Sequence, residues 1–263
     1  MKNIEPLRHS FAVQRRVVGS LLMREILTRY GRYNIGFLWL FAEPAMFTLI
    51  ITLIWHYTRA GRISSIPITA LAITGYSSVL LWRNIVNRGK HAVSSNNAVL
   101  YHRNIKILDV FLSRILLEIA GAVTSFFVLS ILFIYIGWMN PPEDMLKVIF
   151  GLLLLAWFGA SLSLIIGSLS ERFEFVDRLW RPISYILFLF SGVAYIVEWL
   201  PPDSQKIILL LPMIHGLELL RDGYFGSSFT AHYDLFYMSM CNLCLTLLGL
   251  LLVKVAGRRI EAE

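Results

Sequence analysis

His215, Glu218, Arg221 and Asp222 stand close together in an otherwise apolar stretch, MIHGLELLRDGYF. His215, Glu218 and Asp222 share a helix face with metal-like spacing, but no further ligand cluster accompanies them, and a Glu218–Arg221 ion pair is the better use of the spacing. Glu43 stands directly before Pro44 inside an apolar run. A carboxylate there is by default a gate, a substrate contact or the partner of an arginine, set against a plain hydrogen bond at a proline-distorted turn. Arg181, Tyr185, Phe188, Gly192, Tyr195 and Trp199 recur at steps of three or four, which predicts one helical face bearing an aromatic stripe. Sugar rings pack their C–H faces on aromatic rings while hydroxyls bond to Tyr and Trp edges, so the stripe suits a sliding glycan. Membrane-belt aromatics and dimer packing are the ordinary alternative. The six histidines, His9, His56, His91, His102, His215 and His232, are scattered singly and form no convergent acid/base or nucleophile set. No phosphate-cradling GxxxxGK[ST] loop exists, because Gly89-Lys90 is followed by His91 and lacks a glycine-rich approach. The chain therefore cannot hydrolyse ATP itself.

The elements that must position these residues are membrane helices. With 57% hydrophobic residues, 16% charged and a mean hydropathy of +0.65, the chain is more apolar than a soluble core of this length requires. Six stretches are long enough to cross: 37–57, 66–82, 112–137, 145–169, 183–199 and 235–256. Their continuous apolar character predicts helices and not alternating barrel strands. The stretch 191–226 behaves differently. Its uninterrupted apolar run, 207–211, would rise only about 7 Å as helix, against a hydrocarbon core of roughly 30 Å. Pro201, Pro202 and Pro212 each remove an amide donor. Backbone that enters a bilayer without crossing it survives only against protein or a water-filled cavity, so 200–226 is expected to be a re-entrant helical hairpin. The predicted fold is all-α and integral to the membrane, a single domain over 1–263.

Loop charges orient it. If the N-terminus is cytoplasmic, that side collects 19 of the 24 Lys and Arg, while Arg59, Arg62, Lys147, Lys206 and Arg221 remain opposite. Both termini are therefore expected inside, with 200–226 on the outer face. Nucleic-acid binding is a poorer account of the basic charge, since the cations follow membrane edges and form no single patch. No cleavable signal peptide is expected, because about 35 polar or amphipathic residues precede the first long apolar run.

Two cytoplasmic segments invite a partner. Residues 13–30 predict an amphipathic helix along the inner surface, with Val17, Val18, Leu21, Leu22 and Ile26 on one arc that Glu25 interrupts. Gly31 and Gly36 are expected to turn the chain before the first span. The loop 83–111 is too long for a tight helix connection. Ser94, Ser95, Asn96 and Asn97 offer caps for a short helix presenting Leu100, Tyr101 and Ile105. Arg114 and Glu118 are spaced as a helical ion pair, and Cys241 and Cys244 are expected to be packing residues inside the last span.

Three segments carry a family resemblance: RYGRYNIGFLWLFAEPA (29–45), NNAVLYHRNIKILDVFLSR (96–114) and LPMIHGLELLRDGYF (211–225). They are similar to the capsular-polysaccharide export permeases of the KpsM type, within the membrane subunits of type-2 ABC exporters, and the similarity covers nearly the whole chain. Leu211 departs from the pattern, since relatives often have Asn before the proline. The resemblance implies a homodimer joined by two copies of a separate ATPase, which would bind ATP and Mg while this chain holds no cofactor and no metal. It also implies a periplasmic polysaccharide co-polymerase and an outer-membrane export protein as further partners, with a lipid-linked polysaccharide as cargo. On this reading Trp39, Glu43, Arg181, Tyr185, Phe188, Tyr195 and Trp199 line the pathway. Pro201, Pro212, His215, Glu218 and Arg221 form an exit gate, and Asn97, Leu100, Tyr101, Arg103, Ile105 and Asp109 couple to the ATPase. Competing readings are a type-2 exporter of O-antigen, teichoic acid, lipid or drug, and a membrane-embedded transferase acting on lipid-linked sugars.

Overall fold

The computed structural model describes residues 4–30, 34–59, 66–96 and 105–260. Among them are nine α-helices and no strand. In chain order these are α1 (Ile4–Tyr30), α2 (Asn34–Arg59), α3 (Ile68–Gly89), α4 (Ile107–Ile136), α5 (Met145–Arg172), α6 (Glu174–Phe190), α7 (Pro202–Ile208), α8 (Pro212–Phe225) and α9 (Leu235–Ile260). Among the described residues, α4, α5 and α9 are long and apolar enough to cross a membrane.

Local chemistry sets the helix ends. The Asp109 carboxylate accepts from the Lys106 amide (3.1 Å) at the start of α4 while the Asp109 amide donates to Lys106 O (2.9 Å), and Gly137 closes that helix at φ 81°. The Asp144 carboxylate accepts from the amides of Leu146 and Lys147 to start α5. Pro202 and Pro212 open α7 and α8, where a missing amide N–H costs nothing because first-turn donors have no helical acceptor.

α5 is the hub, packed against α9, α8, α3 and α6, while α3 lies among α2, α4 and α5. Trp82, Phe111, Phe126, Phe133 and Leu155 fill the core. α3 is long enough to cross yet carries Thr69, Thr74, Ser77 and Ser78, all buried. A helix enclosed by protein has no need of apolar side chains, and Thr74 and Ser78 donate to Ala70 O (2.7 Å) and Thr74 O (2.5 Å) one turn back. α5 and α8 cross so closely that a Cβ on Gly151 would lie 2.7 Å from Leu220 Cβ and 2.9 Å from Gly216 O. Between membrane helices such small-residue contacts, and not water exclusion, supply the attraction.

Several expectations need correction. Residues 183–199 do not form one helix: α6 runs Glu174–Phe190, and a turn with Gly192 at φ 78° and a separate 3-10 turn at Val197–Trp199 follow. The aromatic stripe is therefore not one helical face, since Tyr195 and Trp199 lie beyond the helix end. The 83–111 connection is shorter than expected, because α3 continues to Gly89 and α4 starts at Ile107. The chain turn expected at Gly36 is absent, since α2 begins at Asn34 and contains that residue, while Gly31 lies outside the described residues. The N-terminal helix is longer than 13–30, and its expected arc is the covered one: Leu21 is buried and Val17, Val18, Leu22 and Ile26 are half-buried. Glu25 interrupts that arc because it pairs with Arg114 at 3.0 Å. Cys241 and Cys244 are unpaired thiols on α9, half-buried and exposed respectively.

Candidate functional site

α8 is buried on nearly every side, with His215 4%, Glu218 1% and Arg221 0% exposed. The expected Glu218–Arg221 ion pair does not form as a direct contact: the two charges lie within each other's field, but each side chain bonds to irregular backbone. Arg221 Nη1 donates to Tyr195 O (2.8 Å) and Nη2 lies 3.5 Å from Val193 O, in the turn that ends α6. The Glu218 carboxylate accepts from the His232 amide at 3.2 Å. His215 Nδ1 accepts from the Asp234 amide (2.9 Å), which leaves Nε2 protonated to donate to Leu209 O (2.8 Å). Asp222 takes Lys147 Nζ at 2.8 Å and Tyr233 Oη at 3.0 Å. The residues with metal-like spacing are thus each committed to a different protein partner. Together they clasp 193–195, 209 and 232–234 around α8, satisfying carbonyls and amides that a helix would have satisfied internally.

α6 attaches to the bundle by a polar ladder. Arg83 Nε donates to Ser184 Oγ (3.1 Å), Trp180 Nε1 to Asn87 Oδ1 (2.8 Å), and Lys90 Nζ pairs with Asp177 at 2.5 Å. The rungs advance three or four residues along α3 while retreating by the same steps along α6, as antiparallel helices require. Only Trp180 and Ser184 of α6 are buried, so these contacts carry much of its attachment. Burial, with the Lys90 ammonium nearby, holds the His91 imidazole below its ordinary value.

Beyond Ser184, the Arg83 guanidinium lies over Tyr185 (4.6 Å to the ring centroid) and Phe188 (5.3 Å). Phe188 meets Tyr76 edge-on, and Tyr76 meets Trp55. Tyr185 and Phe188 are brought together with Arg83, whereas Tyr195 turns back to bond Phe190 O and Trp199 stands exposed on its own turn. Arg181 is exposed and pairs with Asp177 at 3.3 Å. Glu43 is the partner of an arginine, Arg88, at 2.8 Å. Trp39 is carried by α2, with its side chain outside the described residues, as are Asn97, Leu100, Tyr101 and Arg103 altogether. Ile105 is half-buried, and Asp109 is buried, capping α4 and accepting from Gln14 Nε2 of α1 at 3.2 Å. A cavity of about 420 Å³ lies among α1, α3 and α4, lined by Arg24, Arg88, Arg114, Glu25 and His91 among others.

Arg83, Asn87, Lys90, Asp177 and Trp180 were not singled out by sequence reasoning. Their signal was nonetheless present, as polar residues at helical steps on the edges of two apolar runs.

This arrangement ties α6 to α3 through polar contacts and offers a mixed cationic and aromatic surface. Among the described residues it includes no reactive group aimed at a substrate bond. Residues 16–225 match the family described as ABC-2 type transporter. The chain belongs to that family. Its relatives include the capsule polysaccharide export inner-membrane protein CtrC of Neisseria meningitidis serogroup B, 44% identical over 254 residues, 97% of this chain and 96% of CtrC. BexB of Haemophilus influenzae, another capsule polysaccharide export inner-membrane protein, is 40% identical over 256 residues, 97% of each chain. The polysialic acid transport protein KpsM of Escherichia coli is 24% identical over 247 residues, 94% of this chain and 96% of KpsM. The expected family is therefore observed, with CtrC and BexB nearer to this ABC-2 subunit than KpsM. As an ABC-2 membrane subunit it is a transport component and not an enzyme, and ATP hydrolysis belongs to a separate subunit.

Proposed function

We propose that this chain is the permease subunit that carries lipid-linked capsular polysaccharide across the bacterial inner membrane. The observation that carries the reading is the collinear 44% identity to a capsule export inner-membrane protein over 97% of the chain. Two copies form the channel, and two copies of a separate ATPase, which bind ATP and Mg, drive it from the cytoplasm. The termini face the cytoplasm, in keeping with the loop cations. Spans α2, α3, α4, α5, α6 and α9 cross, and α7 with α8 forms a re-entrant hairpin at the periplasmic exit. The enclosure of α8 by protein supports its lying at membrane depth without crossing. The exit gate then comprises Pro201 just ahead of α7 and Pro212 at the start of α8, with His215, Glu218 and Arg221 holding the flanking backbone.

The 96–109 segment and α1 couple to the ATPase. Asp109 acts there through α1 and the start of α4, since it is buried. Substrate contacts come from Trp39, Glu43, Arg181, Tyr185, Phe188, Tyr195 and Trp199, in two groups separated by the turn after Phe190. A periplasmic co-polymerase and an outer-membrane export protein take the polymer onward. A strain whose sole copy carries Tyr185→Ala and Tyr195→Ala is expected to retain polymer in the cytoplasm while the subunit still assembles with its ATPase. Unchanged export with normal assembly would reject this pathway.

A further inference from the structure

Arg83 lies six residues before the end of α3, about 9 Å along the axis, flanked by Leu80, Leu81 and Trp82 on one side and Ile85 and Val86 on the other. A guanidinium at that level facing lipid would cost about 2.5–3.5 kcal/mol at mid-bilayer depth, so intramembrane arginines face protein or a water-filled cavity. Protein covers only part of this one. Arg83 is half-buried, its single side-chain hydrogen bond leaves through Nε, and among the described residues Nη1 and Nη2 have no hydrogen-bond or ion-pair partner. Ser184 and the faces of Tyr185 and Phe188 fix the plane of the group without using its outer edge. The neighbouring Tyr185 ring is 65% exposed. The Arg88–Glu43 pair stands open toward the cytoplasmic end of the same helix, with side chains 42% and 47% exposed.

A fixed guanidinium fork with two free nitrogens is the protein group best matched to a planar carboxylate, which it binds through two parallel hydrogen bonds. The exposed tyrosine beside it offers an apolar face to the ring that bears that carboxylate. We infer that Arg83, with Tyr185, is a specificity-determining site for acidic sugars, the fork reading a sugar carboxylate while the tyrosine ring packs on the pyranose. The site rests on the transport reading above and names the residues that discriminate an acidic from a neutral polymer. A lysine here would keep the charge and lose the fork.

The test uses the whole exporter, this subunit with its ATPase in nanodiscs, and two probes of equal length on the same lipid: an oligosialic acid and a neutral glucan. The readout is the ratio of their dissociation constants. Arg83→Gln is expected to cut the preference for the acidic probe about tenfold, the loss of one bidentate charge-assisted contact, with Arg83→Lys in between. A ratio unchanged in both variants overturns the inference whatever happens to absolute affinity, since a merely structural role weakens both probes alike. If the unsubstituted exporter binds neither probe, the transport reading itself fails, a result distinct from a failure of Arg83 alone.

Discussion

Arg221→Gln is expected to destabilise the purified subunit by about 3 kcal/mol and to abolish export. Arg221 is fully buried and supplies donors to Tyr195 O and Val193 O, carbonyls in a turn with no helical partner of their own. Removing a buried donor exposes the acceptors' full desolvation cost, and the nearby Glu218 carboxylate loses its compensating charge. Lysine offers no rescue, because one ammonium on a flexible stem does not reproduce a planar fork spanning two carbonyls. For a chain of this size the melting temperature in detergent should fall by about 6–12 °C. An Arg221→Gln subunit that melts with the parent and exports normally would show that the clasp around α8 is dispensable.

Gly151→Val is expected to have a comparable effect through packing alone. The new Cβ would meet Leu220 Cβ at 2.7 Å and Gly216 O at 2.9 Å, closer than real Cβ contacts come, and two of the three nearest atoms belong to backbone or Cα and have nowhere to move. Overpacking of this kind costs about 1–3 kcal/mol, at the upper end where rigid helices must separate. The consequence is local. α8 leaves α5, so a cysteine at Met213, 1% exposed in the parent, becomes reactive to maleimide in a background with Cys241 and Cys244 replaced by alanine. Persistent protection of that cysteine would mean that the α5–α8 crossing tolerates separation.

The helix starts within 200–226 were legible because their signals are local. Pro202 and Pro212 mark them by chemistry that acts within one turn, and α7 and α8 are each too short to cross a bilayer alone. What α8 holds was not legible. Its partners, the carbonyls of 193, 195 and 209 and the amides of 232 and 234, are backbone groups that carry no residue-type signature. That gap also explains the error in the fifth span. The aromatic periodicity runs on past Phe190, but Gly192 adopts a positive φ and Arg221 captures the next carbonyls, so tertiary contacts end a helix that periodicity alone extends. The pairing of Glu218 with Arg221 failed for a related reason, since helical spacing permits a contact without making it the best one available.

α3 and α6 show the converse case. Polar residues at 83, 87 and 90, and at 177 and 184 around the indole donor of Trp180, were visible at helical steps, yet their matching depends on antiparallel register, which a single sequence does not state. Glu43 fell among its foreseen alternatives, as the partner of Arg88.

Transport in a defined system tests the central claim most directly. With the subunit and its ATPase reconstituted in vesicles, and a fluorescent lipid-linked capsular oligosaccharide from the source strain on the ATPase side, the account predicts ATP-dependent appearance of the glycan on the opposite side. ATP turnover without any translocated glycan, at verified assembly, would contradict it.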